Sequence, residues 1–137
     1  MAAVGSITQT LNSYQSNKKE FLVLTMACTA NAAGAVSGIS TDDGTYMGQT
    51  ITELIKGREL VSMQTEPGTT DAYTIVVNDV AGEDLFGTLG ARSTTATESA
   101  WPLAGGSYGS RIITGALTPV IASATTSGTL TLILNFE

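Results

Sequence analysis

The chain has no histidine and a single cysteine, Cys28, among its 137 residues. Without histidine the commonest general base and the commonest metal ligand are missing. With one cysteine no disulfide can form within the chain, so the fold does not depend on an oxidising compartment. Charge is also scarce. Asp, Glu, Lys and Arg make up 13% of the residues, about half the usual share. The net charge is −6, and the basic residues Lys18, Lys19, Lys56, Arg58, Arg92 and Arg111 form no cluster larger than a pair. No basic stripe exists to neutralise phosphates, which argues against a nucleic-acid partner. No apolar run is long enough to span a membrane. The stretch from Phe21 to Cys28 follows Lys18-Lys19 and precedes Ala30 and Ala32, which imitates a secretory signal. Glu20 at the junction and Thr25 inside the run favour a central strand with both faces buried instead.

Thr, Ser, Ala and Gly fill the space that charge leaves, giving a polar, weakly charged surface suited to contact with other protein. The length supports one domain. Its most organised stretch is residues 67–90. Pro67-Gly68 suits the centre of a type II turn, with Gly68 at positive φ. Tyr73, Ile75 and Val77 then alternate with Thr74 and Asn78, the period of a half-buried strand. Residues 79–83 read as a hairpin turn and 84–89 as its return strand. Further strands are expected at 21–29, 35–40, 59–65, 92–99, 111–118 and 129–136. The last is the clearest, with Leu130, Leu132, Leu134 and Phe136 facing one way. Pro119 ends a strand, bulges it, or places it at an edge.

Thr50-Ile51-Thr52-Glu53 fits a capping box, and Ile51, Leu54 and Ile55 share a helical face. The region 51–56 is therefore either a short helix or the start of a longer strand. About eight short strands at this spacing predict an all-β, single-domain antiparallel β-sandwich of jelly-roll type, with room for one short helix. Residues 1–17 carry only sparse apolar side chains and read as an N-terminal arm with at most a short strand near 7–11. The sandwich domain follows as 18–137.

Reactive chemistry finds little support. Gly105-Gly106-Ser107-Tyr108-Gly109 is not a nucleophile elbow, and no histidine could activate Ser107. Cys28 lies in an apolar run, where burial raises a thiol pKa and makes it inert. Asp42-Asp43-Gly44 lacks the repeating ligands of a calcium loop, and Asp79, Glu83 and Asp84 read as solvated turn residues. No catalytic residue, metal site or cofactor is expected. Interaction residues are expected instead. Val4, Ile7, Leu11 and Tyr14 could anchor the arm in a groove or on a sheet edge. Tyr46, Trp101 and Tyr108 lie in or near loops, where aromatics stack on sugars or fill pockets on a partner. Trp101 alternatively closes one end of the sandwich.

Residues 57–92 carry a resemblance. A Gly-led strand ends at Pro67-Gly68, then Asp71-x-Tyr73-x-Ile75-x-Val77-x-Asp79 follows. A Gly82 turn, a return strand centred on Leu85 and Gly90-Ala91-Arg92 complete it. Gly115-x-Leu117 and Gly128-x-Leu130-x-Leu132 extend the likeness toward the C-terminus, and together they span most of the chain from Phe21 onward. The pattern resembles the small β-rich virion proteins encoded among the head genes of tailed bacteriophages, with residues 46–55 as an insertion. The resemblance implies a jelly-roll capsid cement or decoration protein that acts as a symmetric oligomer. A homodimer is favoured over a trimer, because two-fold dimers are the commonest closed assembly and one patch serves both chains. The resemblance also implies the major capsid protein as partner. The expected location is the outer surface of the virion, after synthesis in the host cytoplasm. The alternative is a carbohydrate- or receptor-binding β-sandwich of a phage tail or fibre.

Overall fold

A computed structural model describes residues 3–87, 89–104 and 107–137. The described residues form twelve strands and two short helical turns. The first half holds β1 (Ser6–Ser16), β2 (Lys19–Thr29), a 3-10 turn (Thr41–Asp43), β3 (Thr45–Tyr46), β4 (Gln49–Thr50) and α1 (Ile51–Ile55). Next come β5 (Glu59–Pro67), β6 (Thr74–Asn78), β7 (Glu98–Ala100), β8 (Leu103–Ala104) and β9 (Ser107–Tyr108). β10 (Arg111–Ile112), β11 (Thr118–Ala122) and β12 (Thr129–Phe136) end the chain.

The larger sheet runs β1-β2-β12-β5, and the far side of β5 is shared by β10 and β7. The second layer centres on β11 paired with β6. Val36 bridges to Ile121 on one side of this pair, while Tyr73–Arg92 and Asn78–Asp84 bridges lie on the other. Setting β1 aside, eight segments follow in chain order: β2, the Val36 segment, β5, β6, the 84–92 segment, β7 with β10, β11 and β12. The larger sheet takes them in the order first, eighth, third, sixth. The smaller layer takes them second, seventh, fourth, fifth. That interleaving is the double Greek key of a jelly roll.

Alternation explains the long strands. Along β12 Leu130, Leu132, Leu134 and Phe136 are buried and the residues between them are not. Along β2 Leu22, Leu24, Met26 and Cys28 do the same. These rows meet Leu60 and Met63 of β5, Tyr73, Ile75 and Val77 from the β6 region and Ile121 of β11 in one core. The helical reading of 51–56 is the one that forms. Thr50 caps α1, its Oγ1 accepting from Glu53 N–H at 3.3 Å, and Ile51 and Ile55 are fully buried.

Several expectations change. Residues 6–16 are no free arm: β1 pairs with β2 at every position from Ser6–Thr29 to Ser16–Lys19. Asn17 and Lys18 join them at positive φ, 51° and 64°, the conformation of a type I′ hairpin turn. The region 84–89 forms no return strand among its described residues. Leu85 and Phe86 are both buried, which breaks a period of two, and Asp84 folds back to accept from Phe86 N–H at 3.1 Å. The partner of β6 is β11 instead. Residues 35–40 contribute single bridges rather than a strand, and of 92–99 only the end enters β7. The 111–118 strand is divided, since Arg111–Ile112 pairs with β5 and Thr118 begins β11. Pro119 sits inside β11 opposite Val77. Gly68 does not adopt positive φ. It is small for another reason: a Cβ there would lie 2.5 Å from the carbonyl oxygen of Thr129. The expected loop at 104–109 holds the β8–β9 hairpin, with Leu103 opposite Tyr108; Gly105 and Gly106 lie outside the described residues.

Candidate interaction surfaces

The hairpin register sets the faces of the larger sheet. Leu11 of β1 stands opposite Leu24, and both point into the core. Tyr14 therefore points outward, opposite Phe21, and Asn12 opposite Val23. Continuing across β12 and β5, Asn135 is opposite Val23 and Ser62, and Ile133 is opposite Thr25 and Gln64. This outer face is polar, β-branched and aromatic. Its charges sit at the ends. At one end Lys19 pairs with Glu137 at 3.5 Å, and at the other Glu66 stands opposite Thr131. Phe21, Val23, Val61 and Asn135 border an open groove of about 320 Å³ on this face.

The four residues expected on an arm are thus separated. Leu11 is 3% exposed and is spent in the core, and Ile7 packs partly against it. Val4 is held to Ser37 by two backbone hydrogen bonds of 2.9 and 3.0 Å. Of the four, only Tyr14 projects outward, at 56% exposure.

The loop aromatics divide as well. Trp101 and Tyr108 are 53% and 77% exposed, so Trp101 does not seal an end of the sandwich. Together with Leu89, Ser99 and Ala100 they line a second open groove, of about 420 Å³. Tyr46 packs partly against the core, and it is its neighbour Met47 that projects, at 86% exposure. Met47, Val80 and Ile112 are exposed apolar side chains that pattern alone does not single out, because each lies in a turn or a two-residue strand.

The carboxylates of the turns have local partners. Asp43 accepts from Ser40 N–H at 2.8 Å while the Ser40 hydroxyl accepts from Asp42 N–H at 3.1 Å, a capping box around the 3-10 turn. Asp79 Oδ1 accepts from both Ala81 and Glu83 N–H at 2.9 Å. Among the described residues no group of three Cys, Asp or Glu side chains is placed to hold a metal ion. Cys28 is buried, and desolvation pushes its thiol pKa up to about 12, so it carries no thiolate at neutral pH.

A polar clasp joins the layers where sequence shows only an isolated arginine. Arg92 is 8% exposed. Its Nε donates to the Thr65 hydroxyl at 3.1 Å, and it lies 3.7 Å from Glu98. Glu98 also accepts from Ser93 N–H. Tyr73 is buried beside this cluster, and desolvation raises its phenol pKa. Arg92 Nη2 and Tyr73 Oη have no hydrogen-bond partner among the described residues. The clasp ties β5 and β7 to the second layer through a buried arginine, which suits cohesion rather than contact.

No family model, curated protein or solved structure matches the chain.

Proposed function

We propose that this chain is a structural virion protein, a capsid cement or decoration subunit that stabilises a shell by binding across joints between major capsid proteins. One observation carries the reading: the outer face of the larger sheet is broad and regular, and its charges are confined to the two ends. Such a face suits burial against protein, since few ionised groups have to be desolvated. Attachment through it should depend weakly on salt compared with a charge-driven contact. The resemblance of residues 57–92 and the jelly-roll order of the strands point the same way. On this reading the protein works at the outer surface of the virion and its function needs no chemistry.

The experiment is reconstitution on shells that lack the protein, followed by electron microscopy. The pair Thr25→Glu and Ile133→Glu places charge in the middle of the outer face without touching the core, and binding should be lost while the fold remains. Undiminished binding would move the contact elsewhere. The second reading, a carbohydrate- or receptor-binding module of a tail or fibre, draws on the shared groove of Trp101 and Tyr108. Aromatic side chains beside a hydroxyl are what a sugar face requires. A glycan array with Tyr108→Ala as control tests it, and a signal abolished by that substitution would favour this reading over the first.

A further inference from the structure

The free edge of the larger sheet is unusual in what it lacks. Natural edge strands are kept short, charged, interrupted by proline, bulged or covered. β1 runs eleven residues, SITQTLNSYQS, with no charge and no proline, and its register with β2 has no shift. Among the described residues no backbone hydrogen bond joins it to any segment other than β2.

The turn fixes which groups are left over. In a two-residue hairpin the pair flanking the turn, Ser16 and Lys19, is hydrogen-bonded, and bonded pairs alternate from there. Even-numbered residues of β1 therefore direct their backbone N–H and C=O toward β2. Odd-numbered residues from Ile7 to Gln15 direct theirs to the free edge.

We propose that β1 pairs antiparallel with β1 of a second copy of this chain, across a two-fold axis at Leu11. The inference does not rest on the shell-binding reading. A strand edge is self-complementary under a two-fold, because each donor row meets the matching acceptor row. The occupant follows from charge. The chain carries a net charge of −6, so two copies approach best where neither presents ionised groups, and β1 is such a surface. The pairing uses the odd-numbered backbone groups in about ten new hydrogen bonds. It joins the two larger sheets into one and makes the outer faces continuous. Thr10 of one copy then stands opposite Asn12 of the other, as a close non-hydrogen-bonded pair.

Sedimentation of the full chain at micromolar concentration tests this. The unmodified protein should sediment as a dimer. Ser13→Pro removes an N–H that the fold does not use, and the sedimenting mass should halve. Thr10→Glu with Asn12→Glu, both on exposed positions, sets like charges opposite each other and should halve it too, with the circular dichroism spectrum unchanged. Thr10→Lys with Asn12→Glu sets opposite charges together and should restore the dimer. A monomer at the highest workable concentration would overturn the proposal. So would a dimer that the Glu pair leaves intact.

Discussion

In the larger sheet β12 is paired along its length with β2 on one side and β5 on the other. In the second layer β6 and β11 share a five-residue ladder, and among the described residues they meet their other neighbours only through single bridges. The first layer is held by backbone periodicity and buried rows. The second is held largely by side chains that reach into the backbone. Thr41 is fully buried, its hydroxyl accepts from Leu117 N–H at 3.0 Å, and it exchanges a 2.7 Å hydrogen bond with Thr52. Thr70 accepts from Thr125 N–H at 3.0 Å, and the Thr125 hydroxyl accepts from Asp71 N–H at 2.8 Å. One fold thus uses two kinds of cohesion, and they should fail differently.

The largest effect is expected where the rows are longest. Leu132 is fully buried in the central strand, so Leu132→Ala should cost about 2–5 kcal/mol, measured by denaturant melts. A change within the range of surface substitutions, about 0.5 kcal/mol, would break the assignment of β12 to the core. Thr41→Val keeps the shape but leaves the buried N–H of Leu117 without an acceptor. It should cost about 1–3 kcal/mol, and Thr41→Ser should recover most of that. An equal loss in both variants would mean that packing, not the hydroxyl, holds this corner. Thr50→Ala removes the α1 cap and should cost about 0.5–2 kcal/mol, at the low end because the bond is 3.3 Å long.

The same division governs what the sequence makes legible. The strand at 129–136 is read from alternation because it buries one full row. The stretch 21–29 is read from its apolar run as buried on both faces, but only Leu22, Leu24, Met26 and Cys28 are buried, and Ala27 and Thr29 on the other face are exposed. In 59–65 a bulge at Val61 breaks the alternation, so that Leu60, Met63 and Thr65 are the buried residues. The helix at 51–55 is read from Thr50 and Glu53 as an even alternative, and its cap decides it. β1 is misread because only Leu11 on its inward row is fully buried. Gln9 shares that row and is half-buried, its side chain donating to Ser40 C=O at 2.9 Å. A polar residue bonded to a loop distant in sequence looks like a solvent-facing one. The signal available was Asn17, a residue that tolerates positive φ, placed between two runs of equal length. The second layer is harder because its pairings depend on bridges and hydroxyls between residues far apart in sequence, such as Thr41 with Leu117, 76 positions away. The outer face becomes visible only when register is known, since its members come from four strands. The exposure of Trp101 and Tyr108 is consistent with their place beside the Gly-rich loop, but their shared groove is a product of the β8–β9 hairpin.

The smallest effects separate the layers by the sign of their pH dependence. Glu20, at the start of β2, has its carboxyl held below the usual range. The Ser13 hydroxyl donates to it at 2.9 Å, and Arg58 pairs with it as the next cause. A lowered folded pKa contributes stability above the unfolded value, lost as pH falls through the folded one. Asp84, bridged to Asn78 in the second layer, is shifted the other way. Desolvation raises its pKa, and the bond from Phe86 N–H opposes this only in part. There the folded state holds the proton more tightly than the unfolded chain. The stability this group adds is present below the unfolded value near 3.8 and is lost as pH rises through the folded one. Asp84→Asn keeps an oxygen acceptor for Phe86 and removes the buried charge, so it should raise the melting temperature at pH 7 and lose that advantage toward pH 3. Glu20→Gln should do the reverse, with a slight loss at pH 7 that vanishes in acid. Because Glu20 is exposed, added salt should shrink its effect. The Asp84 effect comes from desolvation and should persist in salt. Melting curves of both variants across that pH range, at low and high salt, check the contrast. Equal signs for the two substitutions would show that neither carboxylate is placed as described.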